Sequence, residues 1–424
     1  MAVRSSSFKL WLLTAVSLST LGVGIAASVS ARAEDWPQWR GPDRSDVSKE
    51  KGLLKAWPEG GPKKVWTSDK GGLGYSGFAV VGSTLYTMGA VDGKENLIAI
   101  SVADGSQKWS TEMGELLTNN WGDGPRGTPT VDGQFVYALS GQGNLICANA
   151  ADGSPVWKKK MSDFGGGVPG WGYCESVLVD GDQVVCTPGG SKGAVIALNK
   201  KTGETVWQSS DFTEGAQYSS VIIGVVGGKR QYIQLTQKKV VGLEPKTGAV
   251  LWVSDWPGQV AVIPTPIYSN GHVYVTSGYG VGCKLVKIGG DNKVEDVYQN
   301  KEMKNQHGGV VLIGDHLYGH SDGTGWVCQD FMTGKSLWTE RRKFGKGAIS
   351  AADGMLYVIS EDQGEVALVE ASPEGWNEKG RFKLEPQTSL RKPAGRIWTH
   401  PVIANGRLYL RDQELITCFD IKAK

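Results

Sequence analysis

The residues of this 424-residue chain that could do chemistry are gathered in a few short, irregular stretches. Residues 119–126 hold Asn119, Asn120, Trp121, Asp123 and Arg126, and residues 170–175 hold Trp171, Tyr173, Cys174 and Glu175. Gln217, His307, Lys346, Arg396, Trp398 and His400 stand in similar stretches further on, and Tyr75 and Ser76 in one near the start. Brought to one place, these side chains would form aromatic walls with convergent polar groups, which is the make-up of a ligand site. Each alone has a plainer use, since Trp and Tyr can fill the axis of a ring-shaped fold and Arg or Lys can offset a buried Glu175. As a set they point to a binding surface.

Other chemistries find little support. The chain has no Walker A loop, His-Glu-x-x-His, Cys-x-x-Cys-His or Gly-x-Ser-x-Gly motif. Residues 72–77 match a dinucleotide fingerprint by letter, but a hairpin follows where a helix N-terminus would have to meet the phosphate. A formal charge of +2 gives no electrostatic case for nucleic acid.

The stretches lie between the units of a repeat. At intervals of roughly 40 to 50 residues, a small-residue turn is followed by an aromatic that closes a β-rich segment, and such a period marks stacked supersecondary units. The closing residues are Trp109, Trp157, Trp207, Trp252 and Trp338, with weaker copies at Tyr298 and Phe382. Each unit opens with two apolar runs joined by a hairpin dipeptide able to reach positive φ. These are Gly82-Ser83, Asp132-Gly133, Asp180-Gly181, Gly227-Gly228, Asn270-Gly271, Gly314-Asp315, Asp353-Gly354 and Asn405-Gly406. A second turn, such as Asp104-Gly105 or Thr202-Gly203, precedes the aromatic strand. Four antiparallel strands per unit, repeated eight times, make an all-β, eight-bladed β-propeller. The last unit lacks a strand and the first has one to spare around Trp66, so an N-terminal strand is expected to join the C-terminal blade and close the ring.

Residues 1–33 read as a signal peptide: Arg4 and Lys9 precede an apolar stretch, and Ala31-Arg32-Ala33 offers a cleavage site after Ala33. No Cys follows that site to carry a lipid, and no transmembrane helix is expected after cleavage, so the protein is expected to be secreted or periplasmic and monomeric. Residues 34–60, rich in Pro and Trp, show no strand or helix period and are expected to lie across the outside of the propeller, which spans 61–424. Cys147, Cys328 and Cys418 share a repeat position that elsewhere holds Ala99, Ala197 or Gly242, so the position calls for a small buried side chain. Cys174 and Cys186 flank a hairpin and could form a disulfide.

The pattern of Asp/Asn, Thr/Asp-Gly and Trp resembles the repeat of quinoprotein dehydrogenases and of the propeller subunit of the outer-membrane protein assembly machinery. Its clearest copies run from Asn199 to Trp207 and from Asp330 to Trp338, and the likeness covers residues 61–421. It implies one of two functions. The first is an exported, non-catalytic binding or scaffold protein of the cell envelope, offering its central face to a protein partner or small ligand. The second is a dehydrogenase using pyrroloquinoline quinone and Ca²⁺ to oxidise an alcohol or sugar. That enzyme would need Arg126, Lys346 and Arg396 for the quinone carboxylates and Trp398, Trp121 or Trp171 as a floor. Glu175 with Asn119 or Asn120 would ligate Ca²⁺, and Asp123 would act as base. The chain lacks the adjacent Cys-Cys pair of many such enzymes, has no haem motif, and has short connections between blades. The binding protein is therefore the favoured reading.

Overall fold

The computed structural model describes residues 1–2 and 34–423. The residues from Glu34 onward form one compact unit, the propeller. The expected signal peptide lies outside the described residues. Among them, no helix is long and apolar enough to cross a membrane.

Eight antiparallel sheets form the blades. Blades 1 to 7 span residues 79–115, 130–160, 178–208, 222–255, 267–300, 310–340 and 347–383. In each, strands A to D follow one another outward from the axis, as in Ala79–Val81, Thr84–Val91, Lys94–Ser101 and Gln107–Glu115 of blade 1. Blade 8 takes strands A to C from Val402–Ala404, Arg407–Asp412 and Leu415–Asp420, and strand D from Lys63–Ser68. The ring closes as the strand count requires, with Trp66 opposite Cys418. The A–B turns fall where expected, except that two shift by one residue, to Gly133-Gln134 and Gly181-Asp182. In both, Gly takes the first turn position at positive φ, which Asp would occupy less readily.

The repeated Trp holds blade to blade. Trp66, Trp109, Trp157, Trp207 and Trp338 each donate their Nε1–H to a carbonyl at or beside the C–D turn of the following blade, at 2.8–3.1 Å. The turn glycine packs on the indole, and a Cβ at Gly153 or Gly203 would crowd the ring. On strand C, the residue paired with the Trp is Ala99, Cys147, Ala197, Gly242, Cys328 or Cys418. That pairing is why the position must be small. At Gly242 an added Cβ would strike Trp252, and here the indole instead donates to Gln231 Oε1 of its own blade. Buried apolar clusters lie between neighbouring blades, such as the one joining Trp207 and Phe212 to Tyr232 and Leu243.

Residues 34–50 do not lie outside. They enter the axis from the face of the A–B hairpins, where Asp35 accepts from Gly82 N and Glu50 from Gly406 N, turn within the ring, and return. Trp36 bridges Val80 and Pro37 O accepts from Val131 N, while Val47–Ser48 pairs in parallel with strand A of blade 7. Arg40 donates to Thr265 O and Val310 O, and Arg44 to Ser176 O and Val177 O. The inner edges of eight A strands present backbone groups that need partners, and a segment with no period of its own can supply them. Arg40, Arg44 and Asp46 adopt φ of 53–61° to do so, although each is under 6 % exposed. Residues 51–62 then run outward, Trp57 packing on Tyr357 and Phe382.

Candidate functional site: an aromatic cavity on the axis

The chemistry-bearing stretches are mostly the links from strand D of one blade to strand A of the next, and these gather on the face opposite the A–B hairpins. There they wall a cavity of about 530 Å³, a size suited to a small organic ligand. Tyr75, Trp121, Trp171, Tyr218 and Trp398 line it from five links, and Tyr279 from the B–C turn of blade 5. Trp39 and Arg40, at the tip of the axial segment, close it toward the axis.

The rings brace one another. Trp398 lies 5.0 Å from Tyr75, 6.4 Å from Trp121 and 5.6 Å from His307 between ring centres, and Trp171 meets Tyr218 edge-on at 5.8 Å. Tyr75 O–H donates to Trp121 O at 2.7 Å, which joins two links. Burial pushes Tyr218 up to about 12, so its hydroxyl stays protonated.

Two polar clusters stand among the rings. In the first, Glu361 Oε2 accepts from Trp398 Nε1 at 3.0 Å and lies 2.7 Å from His307 Nε2. Burial works against the Glu361 carboxylate, but His307, Lys346 and Trp398 together bring it below the ordinary carboxylate range. Burial also pushes His307 below the ordinary imidazole value, despite Glu361. The pair at neutral pH is thus a carboxylate beside a neutral imidazole. In the second, buried Asp46 lies 2.7 Å from Arg40 Nε and 3.1 Å from His400 Nδ1, while His400 Nε2 meets His307 O at 2.8 Å. Trp39 rests on the His400 ring at 4.7 Å.

Of the residues singled out in the sequence, Tyr75, Trp121, Arg126, Trp171, Cys174, His307, Arg396, Trp398 and His400 line the cavity. Others, among them Glu175, Gln217, Lys346 and Asp123, do not. Glu175 is 1 % exposed beneath the links, where both carboxylate oxygens accept from Thr187 and Gln234. Burial raises it to about 7, with Thr187 and then Arg44 drawing it part of the way back. Gln217 accepts from Val262 N, and Lys346 pairs with Asp322 at 2.9 Å and bonds Gln306. Asp123 accepts from Asn119 N and pairs with Lys392, each at 2.8 Å. Cys174 and Cys186 are not bonded to each other. The A–B pairing of blade 3 ends at Leu178 with Val185, which leaves Cys174 in the link and Cys186 buried against Met161.

Trp39, Arg40, Tyr279 and Glu361 are cavity residues that sequence reasoning missed. Trp39 and Arg40 sit in the segment without a period, and Tyr279 and Glu361 in B–C turns rather than D–A links. The inward-facing B–C turns share this face with the links, so counting them would have found the latter two.

The family described as outer membrane protein assembly factor BamB matches residues 113–340, more than half of the chain. The chain belongs to that family. BamB from Moraxella catarrhalis superposes with a TM-score of 0.56 at 17 % identity, covering 82 % of this chain and 94 % of that one. A quinohemoprotein alcohol dehydrogenase from Comamonas testosteroni gives 0.59 at 12 % identity, covering 94 % and 82 %. A europium-containing methanol dehydrogenase gives 0.60 at 12 %, covering 89 % of each. At these identities the three establish the fold alone. No curated protein matches the sequence.

The donor set of this BamB-family propeller does not fit a Ca²⁺-bound quinone, since Ca²⁺ takes six to eight oxygen ligands. Among the described residues no group of three or more His, Cys, Asp or Glu side chains could hold a metal ion. Glu175 is turned away into its bonds with Thr187 and Gln234. Asn119 spends its amide on Gly170 O and Trp121 N, and Asp123 is held by Lys392. Glu361, the carboxylate that lines the cavity, is engaged by Trp398 and His307.

Proposed function

We propose that the protein is an exported, non-catalytic binding propeller of the cell envelope that takes its ligand in the axial cavity. The observation that carries this reading is the cavity wall, in which bulky aromatics from five separate links converge while the carboxylate beside them is already tied to Trp398 and His307. Aromatic faces give contact area at small entropic cost, whereas a general base needs a free acceptor within reach of the proton it removes.

Ligand-observed NMR with a panel of aromatic and saccharide probes tests the reading on wild type and a Trp121→Ala/Trp398→Ala variant. Binding of at least one probe class, lost in the variant, is expected. A panel that behaves alike on both proteins defeats the proposal. A parallel incubation with pyrroloquinoline quinone and Ca²⁺ is expected to give no dye reduction with alcohols or sugars, and turnover there would refute the non-catalytic reading.

A further inference from the structure

The cations around the cavity differ in how they are neutralised. Arg40 pairs with Asp46, Arg396 with Asp362, and Lys346 with Asp322. Among the described residues Arg126 has a single hydrogen bond, from Nη2 to Gly122 O at 2.8 Å. Its Nε is buried without a partner, and its guanidinium lies 5.0 Å from the centre of the Tyr75 ring. Among the described residues it forms no ion pair. A half-buried guanidinium lacking a carboxylate is costly, and stacking on Tyr75 returns only a fraction of what a charge-assisted hydrogen bond would give.

The surroundings explain what could complete it. Glu361 is held by Trp398 and His307 and Asp46 by Arg40, whereas among the described residues no carboxylate lies within ion-pair distance of Arg126. The fork lies beside Tyr75, whose hydroxyl is fixed on Trp121 O, and the Trp121 and Trp398 rings open at 45° to each other. One ligand ring can rest edge-on or tilted against this braced surface. It is not the parallel slot that a wide planar molecule would need.

Building on the binding reading above, we infer that the cavity takes a small aromatic monocarboxylate, its ring laid against the faces of Trp121, Trp398 and Tyr75 and its carboxylate on Arg126. The bidentate geometry of guanidinium and carboxylate favours such a ligand over a neutral one of the same shape. A cationic ligand is disfavoured by the same unpaired charge, although the aromatic walls alone would accept one.

Isothermal titration with 3-phenylpropanoate and 3-phenylpropanamide, which share a ring and differ in charge, tests the inference on the intact protein at low ionic strength. The acid should bind at least tenfold more tightly than the amide. Arg126→Gln should bring the two within twofold of each other, and Arg126→Lys should retain part of the preference. If the amide binds as well as the acid, the inference is overturned while the binding cavity stands. If neither binds, the inference is overturned, and the probe panel on wild type and the Trp121→Ala/Trp398→Ala variant decides the cavity reading separately. The wild-type ratio decides the matter even where a variant folds poorly.

Discussion

Replacing Trp207 with Ala tests whether the repeated aromatic holds the ring together. The side chain is 7 % exposed, lies 6.3 Å from Tyr232 of the following blade, and donates to Pro245 O at 2.9 Å. Removing a buried Trp costs about 3–5 kcal/mol through lost transfer energy and the cavity left behind. Trp207→Phe keeps most of the ring and loses the hydrogen bond, for which about 1–2 kcal/mol is expected. Urea unfolding followed by circular dichroism reads both as midpoint shifts at constant slope. Hydrogen exchange adds location: Trp207→Ala should open amides at the C–D turn of blade 4, near Gly248, before the rest. Trp252→Ala should loosen its own blade instead, because that indole bonds Gln231. A Trp207→Ala protein within 1 kcal/mol of wild type, or one with unchanged exchange near Gly248, would refute inter-blade docking.

Three further outcomes are expected. The folded state raises Glu175 to about 7 by burial, so it retains a proton that the unfolded chain releases at the ordinary carboxylate value. Stability should therefore fall as pH rises from about 4.5 toward 7 from this group, and urea midpoints across that range should lose this slope in Glu175→Gln. Arg40→Ala leaves Asp46, 1 % exposed, with an uncompensated charge; a loss of about 3–5 kcal/mol is expected, and Arg40→Ala/Asp46→Ala should recover part of it in thermal melts. Gly242→Ala should cost about 1–3 kcal/mol in urea unfolding by forcing Trp252 aside, whereas Ala197→Gly should produce no such clash.

The blades were legible because their packing is local and periodic: the Trp, the turn Gly and the small residue opposite it recur at one spacing since each must meet the next blade in the same way. The links were legible as the stretches that meet at one place because their Trp, Arg and His exceed what a spacer needs. Which side chains face the cavity was not, since one residue of register within a link decides it. Glu175 and Ser176 are neighbours, yet Ser176 lines the cavity while Glu175 turns down onto Thr187. The axial segment was misplaced for a different reason. Its bonds run to partners scattered around the ring, including Val80, Val177, Thr265, Val310 and Ala351, and such contacts leave no period to read.

The route of residues 34–68 also orders events in time. These residues leave the ribosome early, yet Val47–Ser48 pairs with strand A of blade 7, and Lys63–Ser68 with strand C of blade 8. Their partners lie roughly 300 residues or more further along the chain, so the segment must wait unpaired until those residues have been made. Loop closure over that span is slow. A nascent chain therefore carries an exposed blade edge and an open axis until those partners emerge, and the cavity acquires Trp39 and Arg40 only when the ring shuts. Ligand competence thus marks a finished molecule.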